Sequence, residues 1–92
     1  MEKDFFKDRT DDTKSRNAIK RGDRVLICEK YMQPFAETVG QLTEGVIVDV
    51  LTARNHPRGI KVKIQQDNDR IAIGRVVYRI ENGIIQRKNN KV

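Results

Sequence analysis

Residues 51–65, LTARNHPRGIKVKIQ, hold the only histidine of the chain, His56, between Arg54 and Arg58 and just ahead of Lys61 and Lys63. A histidine performs acid–base catalysis or binds a metal only when other groups complete the site. There is no second histidine, Cys28 is the only cysteine, and no Ser or Cys nucleophile is evident near His56. Asn55, Pro57 and Gly59 around it are turn-forming residues. His56 therefore reads as part of a corner between two strands, with contact to a phosphate when protonated as its further use. An enzyme would need Asp49 or Glu44 to converge on it, so a non-enzymatic protein without metal or cofactor is expected.

The stronger chemical signal is cationic. Arg54, Arg58, Lys61, Lys63, Arg75 and Arg79 are the candidate phosphate ligands. Lys61 and Lys63 must share one face of an extended strand, because side chains two residues apart point the same way. Arg75 and Arg79 lie on the next apolar segment and join them if the two segments pair. The plain alternative is a set of solvated charges that protects sheet edges. A formal charge of +6 and a pI near 9.8 favour a polyanionic partner. The charge is spread, at +1 for residues 1–20, +3 for 21–80 and +2 for 81–92. Tyr31, Phe35 and Tyr78 are the aromatic residues outside the N-terminal segment and the candidate stacking contacts.

Two other patterns carry little. Asp67 to Asp69, DND, begins like a calcium loop, but Ile71 stands at the next ligand position and no glycine follows, so a turn is the reading. The glycines of EGVIVDV and IAIGRVV are isolated and lack phosphate-loop spacing. Cys28 sits in an apolar run and reads as a core residue. It permits no intramolecular disulfide.

These side chains need strands to position them. RVLICEK, 24–30, follows a turn at Gly22. EGVIVDVLT, 44–52, places Val46, Val48 and Val50 on one face and Ile47, Asp49 and Leu51 on the other. IKVKIQ, 60–65, alternates most regularly, with Ile60, Val62 and Ile64 toward the core. IAIGRVVYRI, 71–80, contains Gly74, where a sharp change of direction is expected. QDND, 66–69, should join the third and fourth strands as an antiparallel hairpin. A fifth strand is drawn from GIIQR, 83–87, or from the end of the fourth segment. Residues 31–43, with Pro34 and Gly40, read as a long loop whose Tyr31, Met32 and Phe35 either plug one barrel end or form an exposed platform.

A chain of 92 residues supports one small domain with one core. The expected fold is all-β, a small SH3-like, partly open barrel of about five strands over residues 21–80. Residues 1–20 and 81–92 are rich in charge and poor in apolar periodicity. They read as a flexible charged N-terminal tail and a basic C-terminal tail that contributes at most a last strand; DDTKSRNAIK has room for a turn or two. The N-terminus lacks the apolar stretch of a secretory signal, and no run reaches the length of a membrane span. A cytoplasmic monomer without membrane contact is the simplest expectation.

The motifs also support a resemblance. QLTEGVIVDVLT, then HPRGIKVKI, then IGRV resembles the small bacterial YwbE family, a group carrying a domain of unknown function. The matching positions are Leu42, Thr43, Gly45, Val46 or Ile47, Val50, Leu51 and Thr52, then His56, Pro57, Gly59, Ile60, Lys61 and Val62, then Gly74 and Val76. They span residues 41–77, and residues 31–40 look longer than the family pattern. RGDRVLI with EGVIVDV is similar to strands of KOW-type SH3-like barrels in ribosomal and transcription proteins. The resemblance implies a short all-β domain and no established activity. The cationic set makes nucleic acid the leading partner, RNA ahead of DNA. The alternative is a protein-interaction module that docks a partner through residues 31–43, with Tyr31, Pro34 and Phe35 as its apolar surface.

Overall fold

The computed structural model describes residues 6–88. Its five strands are β1 Arg24–Glu29, β2 Thr43–Val50, β3 Lys61–Gln65, β4 Ile71–Glu81 and β5 Ile84–Ile85, joined in one antiparallel sheet in sequence order. β4 also pairs with β1, so the first four strands close into a barrel and β5 extends it as a fifth strand. Helical structure among the described residues is confined to short 3-10 turns, and no helix is long and apolar enough to cross a membrane. The all-β fold expected from the apolar runs is therefore present, but four of its strands form a closed barrel with one added strand, where a partly open barrel of about five was expected. Asp69, at φ 67°, makes the 66–69 hairpin turn, where its N–H donates to the Gln66 carbonyl at 2.9 Å.

The barrel interior is aliphatic. Val25, Ile27, Ile60, Val62, Ile64 and Val76 are fully buried there with Ile47, Ala72 and Ile19. β2 departs from strict alternation: Ile47 pairs with Ile64 but Asp49 pairs with Lys63, so Val48 is an extra residue. This bulge lets Ile47 and Val50 both contact the interior, which a period of two forbids. A second irregularity inserts Val77 between the pairs Leu26–Tyr78 and Ile27–Val76.

The single core expected from the length is in fact two. Leu26, Cys28, Val77 and Tyr78 form a separate cluster with Phe6 and Ala36, flanked by Met32, Val39, Leu42, Ile80 and Ile85. It lies on the outer side of β1 and β4. β1 is buried on both faces, and its unbroken Val25-Leu26-Ile27-Cys28 run is the mark of such a strand. Residues 31–43 are the cover. They are not an open loop but carry 3-10 turns at Lys30–Met32 and Val39–Gln41, and Thr43 already belongs to β2. Met32 packs on the second core while Tyr31 and Phe35 stay exposed.

Gly74 does not interrupt β4. It stands where the strand is paired on both sides, opposite Val62 of β3 and Glu29 of β1, and a Cβ there would lie 2.4 Å from the Cys28 carbonyl oxygen. The glycine permits close approach where the barrel closes. Gly59 has the stricter requirement. Its φ is +103°, and a Cβ would stand 2.4 Å from the Val76 carbonyl oxygen and 2.5 Å from Arg9 Nη2. Gly59→Ala is expected to destabilise the domain by about 2 kcal/mol, from a strained φ together with the clash. In a domain of this size that lowers the melting temperature by roughly 10 °C, readable by circular dichroism.

The flexible N-terminal tail expected for residues 1–20 is corrected over residues 6–20, which dock on the barrel; residues 1–5 lie outside the described part. Ile19 and Thr13 are fully buried and Phe6 is nearly so. Two 3-10 turns, Asp11–Lys14 and Arg16–Ala18, lead a strap across the 52–60 connection. There the Thr13 and Lys14 carbonyls accept from the Ile60 and His56 N–H groups at 2.9 and 3.0 Å, and Asn55 Oδ1 accepts from the Arg16 N–H at 2.9 Å. Composition misleads here because the strap is held by backbone hydrogen bonds and a few isolated apolar residues, not by a periodic face. The C-terminal segment is likewise docked as far as Lys88. β5 pairs with β4, and Arg87 bridges to Arg9.

Candidate nucleic-acid interface

β3 is hydrogen-bonded on both sides, so what it offers outward is a row of side chains. Lys61, Lys63 and Gln65 point away from the interior, set roughly 7 Å apart along the strand. On β4 their partners are Arg75 opposite Lys61, Ile73 opposite Lys63 and Ile71 opposite Gln65. The pairing expected to bring Arg75 beside Lys61 and Lys63 therefore exists. On the β2 side Asp49 faces Lys63, with its carboxylate 3.5 Å from Arg21 and accepting from its own neighbour's N–H.

Arg54 and Arg58 occupy the corner between β2 and β3 and are exposed. His56 organises that corner. Its Nδ1 accepts a hydrogen bond from the Arg58 N–H at 3.1 Å, and its carbonyl accepts from Gly59 at 3.0 Å. Partial desolvation, then the guanidinium charges of Arg75 and Arg58, hold the imidazole pKa below its ordinary value. The neutral ring is the form that can accept at Nδ1. Arg75 Nη1 donates to the Gly59 carbonyl at 3.1 Å, which fastens the sheet face to the corner.

The acidic side chains are largely engaged elsewhere. Asp8 pairs with Arg87, Asp11 with Lys88, Asp12 and Glu81 with Arg79, and Glu44 and Asp67 with Arg24. None of the ion pairs among the described residues engages Arg54, Lys61, Lys63 or Arg75. Lys61, Lys63 and Arg75 share the outward face of the β3–β4 pair, where Asp49, opposite Lys63, is the acidic neighbour across β2. That face can hold successive phosphates.

Two candidates belong to the scaffold. Arg79 lies between Asp12 at 2.7 Å and Glu81 at 2.8 Å, with only 22% of its side chain exposed. These carboxylates raise its pKa against the opposing effect of burial and fix the guanidinium in place. Tyr78 is 1% exposed and closed to base stacking. Its hydroxyl donates to Asp8, its ring meets Phe6 edge to face at 5.9 Å, and Arg87 lies 5.0 Å over its centroid. Burial, then the bond to Asp8, raises the phenol pKa; the same bond, followed by Arg87, lowers that of Asp8 against its own partial desolvation. Both misplacements follow from the docked strap, which supplies Asp8 and Asp12.

The strap also adds cations that the linear pattern does not reveal. Lys14 and Arg16 are carried to the corner by the bonds of their backbones to His56 and Asn55. The sequence shows the cations of DDTKSRNAIK but gives no sign of where the segment docks. Tyr31 and Phe35 remain available, at 68% and 64% exposed. Cys28 is buried in the second core, where desolvation raises its thiol pKa. An open depression of about 480 Å³ adjoins Phe6, Asp8, Val39, Tyr78 and Arg87. Its Asp8 carboxylate is committed to Tyr78 and Arg87. Among the described residues no group of three or more His, Cys, Asp or Glu assembles as a metal site.

A family model of uncharacterized conserved proteins matches residues 12–78, from the strap through β1 to Tyr78 on β4. No curated protein and no solved structure matches the chain. Since the matched segment takes in most of the barrel together with the strap residues that close it, the chain belongs to the uncharacterized conserved protein family DUF2196.

Proposed function

We propose that this barrel is a non-enzymatic, cytoplasmic nucleic-acid-binding module, with RNA favoured over DNA. Phosphates lie along Lys61, Lys63 and Arg75 and cross to Arg54 and Arg58. The observation that carries the reading is the gathering of Lys61, Lys63 and Arg75 on one sheet face, while the ion pairs among the described residues engage other side chains. The similarity to KOW-type barrels of ribosomal and transcription proteins supports RNA in particular. His56 acts on the ligand through the corner it shapes.

The test is a fluorescence anisotropy titration with a mixed-sequence RNA pool at several salt concentrations. With about five phosphates neutralised on a single strand, affinity should fall roughly 100-fold between 50 and 200 mM salt. A salt-insensitive affinity, or none at 50 mM, removes the reading.

A second reading rests on the exposure of Tyr31 and Phe35. In it residues 31–43 dock a protein partner through these two rings, with Pro34 between them, and salt has little effect.

A further inference from the structure

Taking the phosphate-binding reading as its basis, we infer that the ligand is a single-stranded nucleic acid held with little sequence preference, its phosphates on the lysines of β3 and its bases against the isoleucines of β4. The evidence is the composition of one outward face. Across the β3–β4 rungs, Lys61 stands beside Arg75, Lys63 beside Ile73 and Gln65 beside Ile71. Ile71 and Ile73 are 51% and 41% exposed, so a strip of β-branched apolar surface runs directly alongside the cations.

A duplex is a poor occupant of such a face. It presents charged phosphates outward and keeps its bases stacked inside, so the isoleucines would desolvate a backbone to which they give no hydrogen bonds. A single strand offers both chemistries side by side, a charged backbone and the apolar faces of unpaired bases. The lysines and arginine select a polyanion, and the isoleucine strip selects one with exposed bases.

Two exposed aromatic residues follow the end of β1. β1 ends at Glu29, opposite Gly74, so the 3-10 turn Lys30–Met32 begins level with Ile73. Tyr31 and Phe35 follow shortly after that strand end, and both rings are exposed and open to base stacking. Hydrogen-bonding side chains suited to reading base edges are sparse on these rungs, with Gln65 the only amide. Stacking without edge recognition tolerates sequence.

The experiment compares a 12-nucleotide RNA with the same RNA annealed to its complement, both binding the full chain at 50 mM salt. The single strand should bind at least tenfold more tightly than the duplex. Ile73→Ser should weaken single-strand binding about fivefold and leave duplex binding unchanged, with an unaltered circular dichroism melt confirming the fold. Ile71→Ser, at the more exposed position, repeats the test if Ile73→Ser melts early. A duplex bound as tightly as the single strand, or insensitivity of single-strand binding to both serine variants, overturns the inference and leaves phosphate binding standing. Failure of both RNAs to bind overturns phosphate binding, and the inference falls with it.

Discussion

Deletion of residues 1–19 is expected to unfold the barrel at ordinary temperatures. The strap contributes Ile19, with no exposed surface, to the barrel interior and Phe6, 8% exposed, to the second core. Burying two side chains of this size stabilises a fold by about 2 to 3 kcal/mol each. The strap also supplies the carbonyl acceptors for the Ile60 and His56 N–H groups, and Arg9 Nη2 donates to the Val76 carbonyl at 2.6 Å. Leaving the buried N–H of Ile60 and the carbonyl of Val76 unsatisfied adds a further cost of about 1 to 3 kcal/mol for each group that water cannot reach. Together these losses reach roughly 5 kcal/mol or more, against a total stability of about 5 to 14 kcal/mol for a chain of this length. The measurement is the amide spectrum and melting curve of the truncated protein. Collapse of chemical-shift dispersion is the expected result, and a melt matching the intact chain would return these residues to the status of a solvated tail. Ile19→Ala isolates one part of the effect and should cost about 3 kcal/mol through the cavity it leaves.

That strap marks the boundary between what was legible in the chain and what was not. Alternation in IKVKIQ placed Ile60, Val62 and Ile64 inside and Lys61 outside, because a strand's period of two follows from backbone geometry. The hairpin at 66–69 was equally local, since Asp and Asn tolerate the conformation that Asp69 adopts. The bulge at Val48 was not legible. It depends on how β2 meets β3 around a closed barrel, and nothing in EGVIVDVLT names the extra residue. The same limit governed the site. Lys61, Lys63 and Arg75 came together as expected because strand pairing alone aligns them. Arg79 and Tyr78 went to the scaffold because Asp12 and Asp8, 67 and 70 residues away in sequence, reach them from the strap. Charge and aromaticity specify what a side chain can do, whereas the partner that claims it first is a tertiary fact.

The double charge reversal Lys61→Glu with Lys63→Glu should reduce RNA affinity by about 100-fold at 50 mM salt while preserving the fold. Each phosphate contact on a single strand contributes a salt slope of about −0.7, so losing two lowers its magnitude by about 1.4. At 50 mM that lost counterion release alone amounts to nearly tenfold per contact, and two negative charges on the ligand path add repulsion. Stability should change little, because Lys61 is exposed, Lys63 is half-buried, and neither belongs to an ion pair among the described residues. Glutamate at position 63 does meet Asp49 across the rung, a like-charge pair that costs up to about 1 kcal/mol. Lys63→Gln with Lys61→Glu avoids that repulsion and should keep most of the loss in binding. The decisive readout is the slope of log affinity against log salt, because misfolding removes binding without a defined slope whereas loss of two contacts shortens it by a set amount. An unchanged slope would mean that the strand face carries no phosphate and would shift attention to the corner arginines and the strap. A slope reduced by about 1.4 would place two successive phosphates on β3, alongside the isoleucines that the bases then meet.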